Sequence, residues 1–151
     1  MKGRREFLKG SLVVAGLAAA GGAVRVQAAS TLKVIKMDQV KKEPTVSPLF
    51  TGPVTMQTFV DTDLSKRFMI RQVNFDRGVR NKFHSHTIEQ VLIVTEGKGI
   101  VATDKEEITV VPGDIIFIPA GEKHWHGAAK GATFSHLYVM SPDSKTTKLE
   151  E

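Results

Sequence analysis

Between Thr31 and Met140 the chain is cut into short apolar or alternating runs, each closed by a turn residue, and no window sustains a helical period. That punctuation limits the fold more than any other feature. The candidate strands are Leu32 to Val40, Val54 to Val60, Phe68 to Phe75, Lys82 to His86, Gln90 to Thr95, Gly99 to Thr103, Glu107 to Val111, Ile115 to Ile118, His124 to Ala128 and Thr133 to Met140. Runs spaced about 8 to 12 residues apart predict an all-β sandwich or barrel. Asp76-Arg77-Gly78, Glu96-Gly97-Lys98-Gly99, Pro112-Gly113-Asp114 and Ala120-Gly121-Glu122 supply the turn chemistry between them. Lys41 to Pro53, with prolines at 44, 48 and 53, reads as a loop or edge arm, because proline cannot donate to a ladder. The polar tail from Ser141 to Glu151 reads as mobile.

A chain of 151 residues leaves room for one domain of this kind. It has no cysteine, so disulfides, thiolate metal sites and Cys nucleophiles are excluded and any metal must be held by nitrogen and oxygen. The net charge of +5 suggests a polyanion partner until its position is considered. Lys2, Arg4, Arg5, Lys9 and Arg25 against Glu6 place +4 in the first 29 residues, which leaves a nearly neutral body. A nucleic-acid partner loses its main support.

Residues 1–29 read as an export signal. Arg4-Arg5-Glu6-Phe7-Leu8-Lys9 resembles the twin-arginine signal, an uncharged stretch runs from Gly10 to Val24, and Val26-Gln27-Ala28-Ala29-Ser30 is a small-residue cleavage pattern, cut after Ala28 or Ala29. The uncharged stretch is shorter than the roughly 18 to 20 residues of a good permanent span and is diluted by glycine. The expected organisation is a signal peptide over 1–29, an arm and edge strand over 30–53, the barrel over 54–140 and a flexible tail over 141–151. The expected route is folded export by the twin-arginine machinery to the periplasm, with no stable membrane span after cleavage, the alternative being a segment kept as an uncleaved anchor.

All five histidines lie in the second half of the chain, four of them as the pairs His84-Ser85-His86 and His124-Trp125-His126. Side chains on a strand alternate faces, so each pair aims two imidazoles the same way. Gln90, an even offset from His86, is a candidate for the same face, and His136 shares parity with Phe134 and Tyr138. Imidazoles gathered on barrel strands suit a divalent transition metal. Phe83 and Phe117 read as barrel core.

The spacing Gly78, five residues, His84-Ser85-His86, three residues, Gln90, six residues, Gly97 resembles the first cupin motif, with glutamine where glutamate is usual. Gly113, five residues, Pro119-Ala120-Gly121, two residues, His124 resembles the second, with Ala128 where many cupins have asparagine. The resemblance implies a single jelly-roll barrel with a metal held by His84, His86, Gln90 and His124. The runs around His84 and around His124-Trp125-His126-Gly127-Ala128 are similar to a subgroup of small bacterial cupins that includes manganese-dependent hydroxynitrile lyases. That similarity implies manganese first, with iron, nickel or zinc as alternatives. It also implies a Lewis-acid carbon–carbon lyase acting on a small oxygenated molecule; His126 or His136, outside the ligand set, is the expected proton shuttle near neutral pH. Two alternatives stay open: metal-dependent dioxygenase or decarboxylase chemistry, and non-catalytic binding of a metal or small ligand in the periplasm. Cupins of this size are also compatible with a homodimer paired through an edge strand.

Overall fold

The computed structural model describes residues 31–151, so the expected signal peptide lies outside the described residues. From Val34 to Glu151 the chain forms one compact unit. Its strands, in chain order, are β1 (Glu43–Thr45), β2 (Val54–Val60), β3 (Met69–Phe75), β4 (His84–His86), β5 (Gln90–Gly97), β6 (Gly99–Thr103), β7 (Glu107–Val110), β8 (Ile115–Ile118), β9 (His124–Ala128), β10 (Phe134–Met140) and β11 (Thr146–Lys148). They make two antiparallel sheets, β1-β2-β3-β10-β5-β8 and β11-β4-β9-β6-β7, the two layers of a jelly-roll barrel.

Alternation decides what lies between the layers. Val73 and Phe75 on β3, Leu92 and Val94 on β5 and Phe134 on β10 face Val101 on β6, Val110 on β7 and Ala128 on β9 in one apolar cluster. The chain crosses between the sheets at Gly97-Lys98-Gly99. Gly97 has φ +76°, and a Cβ there would collide with the Thr133 carbonyl. One end of the interior is therefore an ordinary hydrocarbon core. The other end collects His84, His86, Gln90, His124, His126 and His136, all buried.

Four sequence expectations change. Leu32 to Val40 is not a strand: it is irregular with a short 3-10 turn at Met37–Gln39, and Leu32 and Val34 are 89% and 70% exposed, so their alternation buries nothing. The edge strand lies further on, where Pro44 pairs with Thr55 at the rim of the first sheet. The tail expected to be mobile instead forms β11, paired through all three residues with β4. Phe117 is 64% exposed rather than core, because β8 is an edge strand whose outer face nothing among the described residues covers.

Candidate metal centre

The two strands that carry the His pairs are neighbours in the second sheet, and their register sets His84 opposite His124. On β4 the two-residue period brings His86 to the same side. Ring centroids lie 4.9 Å apart for His84–His86, 4.2 Å for His84–His124 and 5.4 Å for His86–His124. Each of the three offers a nitrogen such that all three atoms fall within 4.8 Å of one another, close enough to share one ion.

The other ring nitrogens explain why these lone pairs point inward. The Nδ1–H of His84 donates to the Lys82 carbonyl at 2.8 Å, and that of His124 to the Glu122 carbonyl at 2.8 Å. His86 Nδ1 lies 3.0 Å from the Thr146 hydroxyl of β11. Holding Nδ1 in this way leaves Nε2 unprotonated and fixes the ring plane, which is the arrangement a metal-ligating histidine requires. Nε2 of His86, Nε2 of His124 and Oε1 of Gln90 are buried without a well-formed hydrogen bond. A buried polar atom left unpaired costs about 1–3 kcal/mol. Three of them in one small region form a donor set that fits a cation.

Electrostatics agrees. Burial is the largest cause of a lowered pKa at every one of these rings, taking His84 to about 3 and His86 to about 4, with the neighbouring His124 adding to both. His124 is lowered too, again chiefly by burial. All three rings are neutral at physiological pH. Gln90, on β5 of the opposite sheet, brings a neutral amide whose Nε2 rests 3.9 Å from the Met140 sulfur.

The remaining histidines are buried to a similar degree but differently committed. His136 Nδ1–H donates to the Leu137 carbonyl at 3.1 Å, so its Nε2 accepts from His126 Nδ1–H at 3.1 Å. His126 Nε2 in turn accepts from the Asn81 side-chain amide at 3.0 Å. Asn81 also receives the His126 backbone N–H on its Oδ1 at 2.7 Å. The sequence reading missed Asn81. The one local signal for it is Gly127: a Cβ there would strike the Arg80 backbone, so the glycine lets the chain before β4 lie against β9 and bring Asn81 to His126. Thr146 was missed for a different reason, since it lies in the tail read as mobile.

A cavity of about 110 Å³ is lined by His84, His86, Gln90, His126 and Asn81 together with Leu49, Phe50, Met56 and Met140; His124 is not among its lining residues. His136 is fully buried behind His126 and does not line it. A larger hollow of about 330 Å³ lies among β6, β7 and β8 and touches only His124 of the five histidines. The smaller cavity is where the chemistry converges.

Comparison with known proteins follows the same lines. The cupin domain model matches residues 71–140. An (R)-mandelonitrile lyase of Granulicella tundricola is 34% identical over 92 residues, covering 60% of this chain and 70% of that protein. Among solved structures, a cupin-like protein of Thermotoga maritima superposes with a TM-score of 0.69 at 29% identity, over 76% of this chain and 90% of that one. The polyketide cyclase RemF of Streptomyces resistomycificus superposes with a TM-score of 0.68 at 27% identity, over 80% and 89%. With its barrel and histidine cluster arranged as described, the chain belongs to the cupin family.

Proposed function

We propose that this cupin is an exported, metal-dependent enzyme acting on a small oxygenated molecule, and that its reaction is carbon–carbon bond cleavage or formation of the hydroxynitrile lyase kind. The observation that carries the reading is the set of inward-facing donors: His86 Nε2, His124 Nε2 and Gln90 Oε1 are buried without a well-formed hydrogen bond, apart from a weak contact of Gln90 with His86. The mandelonitrile lyase relative supports the reaction class. His84, His86 and His124 would hold the ion with Gln90 as the fourth group, and manganese is the first candidate. When bound, the ion supplies Lewis acidity that no carboxylate among its ligands diminishes.

The chain's own groups do the rest. Leu49, Phe50, Met56 and Met140 exclude water from one wall, which strengthens every electrostatic contact inside. His126, at the cavity wall, takes the cyanohydrin hydroxyl proton on Nε2 in place of the Asn81 contact. As it does so, its Nδ1–H shifts toward His136 Nε2, so the arriving charge is shared by two imidazoles. The carbon–carbon bond breaks with its electron pair leaving on the nitrile carbon, the carbonyl forms, and the proton returns from His126 to release hydrogen cyanide. Both imidazoles are held neutral by burial, His136 at about 4 and His126 well below its ordinary value, so the base form is available near neutral pH.

The test is cyanide release from mandelonitrile and from acetone cyanohydrin by manganese-loaded protein, run in air and under nitrogen. Equal rates in both atmospheres are expected. A requirement for dioxygen would replace the lyase with an oxygenase, and no turnover with metal bound would leave a binding protein. Export is tested separately. Replacing Arg4 and Arg5 by lysine should retain the protein in the cytoplasm, and the exported form should begin at Ala29 or Ser30.

A further inference from the structure

Arg71 has no part in the chemistry above, yet it faces the same interior. On β3 it shares parity with the buried Val73 and Phe75, and the register places it beside Tyr138 of β10. Its Nη1 donates to the Tyr138 hydroxyl oxygen at 3.3 Å. Its Nε is buried without a partner, and among the described residues no carboxylate lies within ion-pair distance of the guanidinium. Desolvating a guanidinium is costly unless an anion or several acceptors compensate it. Arg71 is half-buried, with Nε its buried unpaired atom, and the Tyr138 oxygen is its one side-chain partner among the described residues.

Tyr138 connects this charge to the site. It is 8% exposed and lines the cavity with His84, His86 and Gln90. Burial raises its pKa, so it stays a phenol. Its oxygen accepts from Arg71, and no group among the described residues accepts its own proton, which leaves that proton free for a guest. No Asp or Glu lines the cavity. With a divalent ion on neutral ligands the space would be cationic at that end, and Arg71, which does not itself line the cavity, adds its charge behind Tyr138.

We propose that Arg71 and Tyr138 form a second anchor of this cavity, an oxyanion-holding pair that selects small molecules carrying a carboxylate or enolate oxygen. The proposal rests on the metal reading and sharpens it by naming the charge of the molecule's far end. The cavity is small, about 110 Å³, so a compact hydroxy acid is the appropriate probe of the anchor.

The probe is glycolate, compared with its neutral isostere glycolamide, titrated calorimetrically into metal-free and manganese-loaded protein with metal content measured on the same samples. Wild type should prefer glycolate. In Arg71→Gln that preference should fall by about tenfold or more, as expected when a hydrogen bond to a charged group is lost, with metal content unchanged. Tyr138→Phe should lower it in the same direction, and Arg71→Lys should recover part of it because it keeps the charge without the fork. A protein that does not distinguish glycolate from glycolamide, or an Arg71→Gln variant with the wild-type ratio, overturns the anchor. If Arg71→Gln fails to fold, Arg71→Lys and Tyr138→Phe decide, and a wild-type ratio in both overturns it equally. Wild type that takes up no manganese overturns the metal reading instead, and the ratio in metal-free protein then decides on Arg71.

Discussion

His124 and His126 lie two residues apart on one strand, point into one interior and are about equally buried, yet the protein treats them as different groups. His124 gives its Nδ1–H to a backbone carbonyl and leaves Nε2 with nothing. His126 has both nitrogens engaged, one by His136 and the other by Asn81. Facing inward is therefore not what makes a ligand. The difference lies in whether the fold has already supplied a partner for the second nitrogen.

That contrast is broken most directly by removing one of the uncommitted rings. His124→Ala or His84→Ala should lower metal affinity by more than about 100-fold, beyond the range that changes to supporting residues produce. Elemental analysis after dialysis reads this directly, and full metal content in both variants would end the assignment. His126→Asn should do the reverse, keeping the metal and lowering turnover by about 100-fold or more, the usual contribution of a positioned acid or base. Metal loss in His126→Asn would erase the distinction between the two classes of histidine.

Acid sharpens the comparison next. His84, His86 and His136 have folded pKa values of about 3, 4 and 4, below the 6.5 of an unfolded histidine. Above pH 6.5 neither state is protonated and the full stability is present. As pH falls from 6.5 toward 4 the unfolded chain takes up protons that the folded chain refuses, so the metal-free protein should lose stability across that window. Glu150, held at about 2 chiefly by its Arg80 hydrogen bonds, keeps its contribution until the pH drops below 4.5 and so does not confuse the reading. Melting curves of metal-free protein between pH 7.5 and 4.5 test this. A midpoint independent of pH would mean that these rings do not stay neutral in the fold.

Much of this arrangement was legible in the chain. Strand parity put His84 with His86 and His124 with His126, and the glycine-bounded cupin spacings brought the two pairs together with Gln90. Neither could show how the second nitrogen of each ring is spent, because that depends on residues from elsewhere in the fold. Asn81 reaches His126 through an isolated bridge between Arg80 and Gly127 rather than through a strand with a pattern of its own. Thr146-Thr147-Lys148 is wholly exposed and polar, so nothing alternates. It becomes a strand only because β4 offers a free edge. Conversely, Leu32 to Val40 shows apolar character and forms no strand, because no strand among the described residues pairs with it; the Gln57 side chain instead bonds its Met37 and Val40 carbonyls.

The smallest expected effect concerns that late strand. His84 and His124 are oriented by carbonyls of their own chain segments, which no side-chain substitution removes. His86 alone is oriented by another side chain, the Thr146 hydroxyl. Thr146→Val is nearly isosteric and keeps the β11–β4 ladder, which is made by backbone groups. Pairing of Leu149 with the Phe83 carbonyl and of Glu150 with Arg80 holds the end of the strand in place as before. What changes is one acceptor for His86 Nδ1–H, and the ring is then free to rotate or to take the other tautomer. Metal affinity should fall by about tenfold, the lower end of what loss of an orienting hydrogen bond costs, with the melting point of the metal-free protein little altered. Affinity equal to wild type would mean that packing alone fixes His86, and that its ring is as independent of the tail as those of His84 and His124.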